Sequence, residues 1–180
     1  MYAAEHRALR ELYAFARQLA RHWDALDRRL GLPVLRDGAA EARRLADEVR
    51  AQAGERGLAT GRAAATAGGS IAGARTGVAD RFLERNQALR LGVLDASHLV
   101  TLLDYIAALA SDEKLSAFAK RWAARFRDHE RTARDAVIAL AADPDSAILP
   151  LDRSPLGRAA QGMANGVGTL GEFVDSRLKK

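Results

Sequence analysis

The sequence predicts an all-α bundle of five or six helices, mostly antiparallel, formed by a single domain over residues 1–180. Apolar residues recur every three or four positions along extended segments, which is the spacing of an amphipathic helix. Alanine and leucine dominate the apolar composition and β-branched residues are scarce, which also favours helices over strands. A chain of 180 residues is typical of one domain.

The clearest helical patterns lie in segments 3–30 and 112–142, where apolar residues alternate between spacings of three and four. This heptad-like spacing predicts two long helices that pack against their neighbours at shallow angles. Trp23 and Trp122 occupy the apolar seams of these segments. We therefore expect both indole rings to anchor the core rather than to stack on a base or a cofactor.

Glycine, proline and short polar residues mark the helix boundaries. Gly31 and Pro33 end the first helix, and a second helix is expected to begin after Asp37. Ser111 is the predicted cap of the helix over 112–142. Asp143-Pro144 ends that helix, and the apolar pair Ile148-Leu149 beyond it is expected to dock on the bundle. An amphipathic helix covers about 92–110, and the pattern leaves open whether it is continuous with the segment before Gly92.

Two glycine-rich segments, 57–77 and 157–171, are the most unusual feature of the sequence. Each glycine in a helix costs about 0.8–1 kcal/mol relative to alanine, so these helices need a compensating interaction. Small residues four positions apart let two helix backbones approach closely, as in a glycine zipper. We expect the segments to pack against each other or across a symmetry axis, and a flexible linker is the alternative. The predicted packing residues are Gly61, Ala65, Gly69, Gly73, Gly77, Gly162, Gly166 and Gly168.

Only weak candidates for chemistry occur in the sequence. Asp95 and His98 share a helix face and His129 lies on the seam of another helix, so the three could form a metal or acid–base cluster. The favoured alternative is that both histidines are hydrogen-bonded inside the bundle. Cysteine is absent, and no Glu-x-x-His pair, phosphate-binding loop or nucleophile triad is present. The sequence therefore predicts no catalytic residue and no cofactor, and it favours a protein that is not an enzyme.

The net charge is +5, but acidic and basic residues alternate along most helices, which is typical of solvated faces. This pattern argues against nucleic acid as the partner. An arginine stripe that could contact phosphates is the weaker alternative, and it comprises Arg75, Arg81, Arg85 and Arg90. The excess of arginine over lysine is typical of a high-GC bacterial genome.

No apolar stretch near the N-terminus resembles a secretory signal, so we expect a cytoplasmic protein. The most apolar segment, 91–110, contains three polar residues that a lipid-spanning helix seldom carries.

The leading functional hypothesis is a non-enzymatic interaction or assembly protein of unknown pathway that binds a protein partner or itself through small-residue packing. A protein that associates with a membrane surface, or inserts there through its paired glycine-rich segments, is the alternative. A helical metal-binding enzyme is a third class.

Overall fold

The computed structural model describes residues 3–57 and 83–151. These ranges contain four long helices and one of a single turn, and they contain no strand. The helices are α1 (Ala3–Leu30), α2 (Pro33–Glu55), α3 (Arg85–Leu109), α4 (Glu113–Ala141) and α5 (Pro144–Ala147). The all-α bundle is thereby confirmed. The glycine-rich segments 57–77 and 157–171 lie outside the described residues, except for Gly57.

The four long helices form the corners of a square. α1 packs against α2 and α3, and α4 packs against the same two helices. The carboxylate of Asp112, which precedes α4, binds Arg56 after α2, and Ser111 donates its backbone N–H to Glu5 of α1. At this end of the bundle α1 and α4 therefore begin, while α2 and α3 end. Neighbouring helices are consequently antiparallel. α2 and α3 therefore run in the same direction at opposite corners, and the chain leaves α2 at one end of the bundle and enters α3 at the other.

The core consists mainly of leucine and alanine, with a few large aromatic side chains. Trp23 and Trp122 are both fully buried, which confirms their predicted role as anchors. The Trp122 indole N–H donates to the Glu48 carboxylate at 3.0 Å, so its polar atom is satisfied at the edge of the core. Alanine on the facing helices keeps the backbones close around these rings.

Trp23 lies between two glycines that belong to different helices. A Cβ atom at Gly38 of α2 would lie 2.0 Å from Cζ3 of the Trp23 ring. On the other side, the Trp23 indole N–H donates to the carbonyl oxygen of Gly92 in α3 at 3.1 Å. A Cβ atom at Gly92 would meet the Leu26 side chain at 3.0 Å. Both glycines leave room for α1 side chains, so close packing at glycine is a property of the described bundle.

The turn from α1 to α2 is shorter than the sequence suggested. Gly31 has a φ of +65°, which glycine adopts without strain, and its N–H bonds to the Asp27 carbonyl oxygen. α2 begins at Pro33, so the expected start after Asp37 is wrong. The fixed φ of proline suits the first helical position, and Asp37 lies one turn inside the helix.

α3 is one continuous helix through Gly92, and its break from the preceding segment lies seven residues earlier. Glu84 and Gln87 form a reciprocal capping box at the N-terminus, in which the Glu84 N–H donates to the Gln87 side chain. Of the two possibilities that the sequence left open, a break near Gly92 is therefore the one that the structure does not show. Gly92 is kept inside the helix by its contact with Trp23 rather than used as a boundary.

Asp112, and not Ser111, caps α4. The Asp112 carboxylate accepts the Leu115 N–H at 2.8 Å. This backbone hydrogen bond is the main reason that the pKa of Asp112 is lowered, and the Arg56 guanidinium adds to the effect.

α5 follows α4 almost directly, with Asp143 as its cap. The prediction that Ile148 and Leu149 dock on the bundle is wrong, since both side chains are exposed. Ala147 and Leu151 are buried in their place. The Leu151 N–H donates to the Leu83 carbonyl oxygen and the Arg85 N–H donates to the Leu149 carbonyl oxygen, so this segment is held beside the start of α3.

We predict that Gly38→Ala lowers the free energy of unfolding by about 1–3 kcal/mol, because the added methyl overlaps a buried indole that has no room to move. Gly54→Ala in the same helix is the matched control, since a Cβ there meets nothing within 4 Å. The control should stabilise the protein by up to about 1 kcal/mol through helix propensity. Urea unfolding followed by circular dichroism measures both values, and equal effects would contradict the packing described.

Candidate functional site

A buried histidine–aspartate pair joins α1 to α3. The Nδ1 atom of His22 lies 2.6 Å from Oδ2 of Asp95, and the two side chains are 4% and 14% exposed. The imidazole donates and the carboxylate accepts. Because this pair lies beside Trp23, a polar contact and a ring contact fix α1 on α3 within one helical turn.

Asp95 therefore binds His22 of another helix, although His98 lies one turn away on the same helix. His98 is exposed, and its ring packs against Phe15 with 4.6 Å between the ring centroids. The helix face shared by Asp95 and His98 does not bring them into one cluster.

His129 is partly buried, and its ring lies beside two aromatic rings of the core. Its ring centroid is 5.8 Å from that of Phe126 and 6.4 Å from that of Trp23. Burial lowers the pKa of His129, and the negative charges of Glu41 and Asp37 on α2 act against this shift. The neutral imidazole is thus the form that the folded protein favours.

The three weak candidates for a metal site, Asp95, His98 and His129, consequently have separate surroundings. Over residues 3–57 and 83–151, no three His, Cys, Asp or Glu side chains come close enough to hold a metal ion. The predicted packing glycines from Gly61 to Gly77 and from Gly162 to Gly168 lie outside the described residues. Of the arginine stripe, Arg85 bonds to Ser146 and Arg90 to Asn86.

The outer face of α3 differs from the outer faces of the other three long helices. α1 and α2 expose charged residues along their whole length and α4 does so as far as Asp135, whereas α3 exposes none between Arg90 and Asp104. Leu94 is 58% exposed and Tyr105 is 53% exposed. We call this surface the α3 outer face, and it comprises Leu94, His98, Thr101, Tyr105 and Ala108.

The sequence contained the signal for this face. The helical wheel that places Leu99 and Leu103 in the core places Leu94 and Tyr105 beside Thr101 on the opposite side.

α3 is also the one helix in the described part of the chain that is long and apolar enough to cross a membrane. In its most apolar stretch of 18 residues, 44% is buried inside the bundle. Core helices of soluble proteins meet the same criterion. The α3 outer face belongs to this same helix.

The fold and these surfaces define a four-helix bundle whose interior is closed by tryptophan–glycine contacts and whose third helix presents an uncharged face. No model of a known protein family matches the chain, and neither does a curated protein or a solved structure.

We predict that Asp95→Ala lowers the free energy of unfolding by about 1–3 kcal/mol, because the buried His22 ring loses its acceptor. Asp104→Ala is the matched control on the same helix. Its carboxylate pairs with Arg127 at the surface, where the loss should be at most about 1 kcal/mol. Urea unfolding of both variants at neutral pH makes the comparison. Equal losses would show that the interior pair does not hold α1 on α3.

We predict that protonation of His129 destabilises the fold. Its folded pKa lies below its unfolded value, so this contribution to stability is full above about pH 6.5 and falls as the pH drops through that value toward the folded pKa. His129→Phe should reduce the loss of stability between about pH 7.5 and about pH 5.5. The control, His98→Phe, removes an exposed imidazole and should retain the full loss. A pH dependence unchanged in His129→Phe would contradict this assignment.

Proposed function

We propose that the protein is a non-enzymatic interaction protein that self-associates through the α3 outer face. The observation that carries the proposal is the exposure of Leu94 and Tyr105 on a face without charged groups. Leu94 and Tyr105 flank His98 and Thr101 on this face, and exposed apolar groups beside polar ones are typical of interaction sites. We propose that the protein uses no cofactor and does not bind nucleic acid. We also propose that it is located in the cytoplasm.

Burial of this face supplies a driving force for association. Apolar surface removed from water gains about 25 cal/mol per Å², and tyrosine is favoured at interfaces because it combines a large ring with a polar tip. Asp104 already pairs with Arg127 of the same chain, so it presents little free charge to an approaching surface.

A second copy of the chain is the occupant that fits this face. Leu94 and Tyr105 lie at equal distances on either side of the midpoint between Leu99 and Val100, and His98 and Thr101 lie at equal distances inside them. A two-fold axis at that midpoint would pair the α3 helices antiparallel. It would place Leu94 of each chain against Tyr105 of the other. Such a self-complementary arrangement closes as a dimer and leaves no open end.

Small-residue packing remains part of the proposal. Its predicted residues run from Gly61 to Gly77 and from Gly162 to Gly168. The tryptophan contacts at Gly38 and Gly92 support it, since they show this chain using bare helix positions for close approach elsewhere. A glycine zipper, between chains or within one chain, would be a further case of close helix packing at glycine.

Association with a membrane surface is the second candidate, and the apolar length of α3 favours it. In that case the α3 outer face would contact lipid, with the rest of the bundle intact. Both candidates use Leu94 and Tyr105, so one pair of variants tests them.

We predict that the wild-type protein forms a concentration-dependent dimer, and that Leu94→Glu with Tyr105→Glu makes it monomeric, because four carboxylates would meet across the two-fold axis. Sedimentation velocity and light scattering measure the mass. Ala51→Glu with Ala124→Glu is the matched control, since it adds the same charges at exposed positions of α2 and α4. The control should remain dimeric, with the same circular dichroism spectrum as the wild type.

A wild-type protein that stays monomeric at all concentrations would contradict self-association. If that monomer floats with phosphatidylcholine vesicles, and the Leu94/Tyr105 variant does not, the α3 outer face binds lipid instead. If the two double variants behave alike in both assays, the α3 outer face takes part neither in self-association nor in lipid binding.

A further inference from the structure

Two arginines meet at one phenol oxygen between α1 and α2. The Tyr13 hydroxyl accepts a hydrogen bond from Arg17 Nη1 at 3.4 Å and another from Arg50 Nη2. Both guanidinium groups also lie over the Tyr13 ring, with 5.7 Å and 5.3 Å between their central carbons and the ring centroid. We call these three residues the Arg–Tyr cluster.

The positive charge of this cluster is not neutralised by contact. Within the described ranges, no carboxylate lies within ion-pair distance of Arg17 or Arg50. Arg43, two turns before Arg50 on α2, does pair with a carboxylate, that of Asp24. The charge of Asp47 reaches Arg50 only at longer range. Two guanidinium groups are therefore held side by side around a neutral hydroxyl.

The surroundings of the phenol oxygen favour negative charge there. Burial acts to raise the pKa of Tyr13, but the hydrogen bonds and charges of Arg17 and Arg50 outweigh it and lower that pKa. The same donors and the same field would stabilise an anionic oxygen brought from outside.

We propose that the Arg–Tyr cluster binds a phosphate group. Guanidinium is planar and presents paired N–H donors that match phosphate oxygens, and two such groups match the charge of a phosphate dianion. Because the Tyr13 oxygen accepts from both arginines, its own hydrogen is free to donate to a third phosphate oxygen. Both arginine side chains are exposed, so a ligand can approach from solvent. This site lies on α1 and α2, away from the α3 outer face.

Inorganic phosphate is the first probe. Isothermal titration of the purified protein at constant ionic strength should give saturable binding of one phosphate per chain. Arg17→Gln and Arg50→Gln should each weaken binding by about tenfold, the value of one charge-assisted contact. Tyr13→Phe should weaken it while leaving the net charge unchanged.

The matched control is Arg28→Gln with Arg36→Gln, which removes two exposed positive charges elsewhere on the same two helices. It should bind phosphate as the wild type does. Non-saturable binding would overturn the proposal. A control that weakens binding as much as Arg50→Gln does would also overturn it, because the protein would then attract anions only through its general positive charge.

Vesicles distinguish a free phosphate from a lipid headgroup. Phosphatidic acid offers a phosphomonoester at a surface, and phosphatidylcholine vesicles provide the control for lipid binding in general. Cosedimentation with phosphatidic acid that requires Arg17 and Arg50, without measurable binding of inorganic phosphate, would assign the headgroup as the source. No dependence on these arginines in either assay would overturn the proposal.

Discussion

The arrangement of the described bundle depends on the place that Trp23 takes between α2 and α3. Its ring lies against Gly38 on one side, and its N–H bonds to the Gly92 carbonyl oxygen on the other. One side chain of α1 thereby sets the distance to both neighbouring helices. An alanine-rich core has few large side chains, so the position of each ring determines how the backbones around it can pack. His22, the preceding residue, adds a polar contact to Asp95 and fixes the orientation of α1 on α3.

These interior contacts explain why α3 is apolar on its inner side. Its inner side contacts Trp23 and contains Leu99 and Leu103, which are fully buried. Its outer side presents Leu94 and Tyr105, which no described part of the chain covers. A helix that needed apolar residues only for its own core would carry charges on the solvent side, as α1 and α2 do. The uncharged outer side is thus a separate property of α3, and it supports the proposed role in association.

Local sequence patterns predicted the extent of α1, the burial of Trp23 and Trp122, and the all-α class, because each depends on the spacing of residues within one helix. Boundaries were less accurate. Pro33 and Asp37 are both suitable helix starts, and only the tight turn at Gly31 decides between them. The predicted cap, Ser111, lies one residue before the observed cap, Asp112, because the choice depends on backbone partners that only the folded chain provides.

The histidine–aspartate pair and the Arg–Tyr cluster could not be predicted from spacing. His22 and Asp95 are separated by 73 residues, and Tyr13 and Arg50 by 37. Their contact depends on which helices become neighbours and in which direction they run. Periodicity within a helix does not contain that information. The α3 outer face was different, since Leu94 and Tyr105 share a face that a helical wheel reveals directly.

The course of the chain divides the bundle into two helical hairpins. Residues 31–32 join α1 to α2 and residues 110–112 join α3 to α4, so the contacts within each pair are close in sequence. Contacts between the pairs, such as that of Trp23 with Gly92, close a much longer loop and cost more chain entropy before they form. The contacts within each hairpin therefore close short loops, whereas the docking of one hairpin on the other around the Trp23 ring carries the larger entropic cost of loop closure.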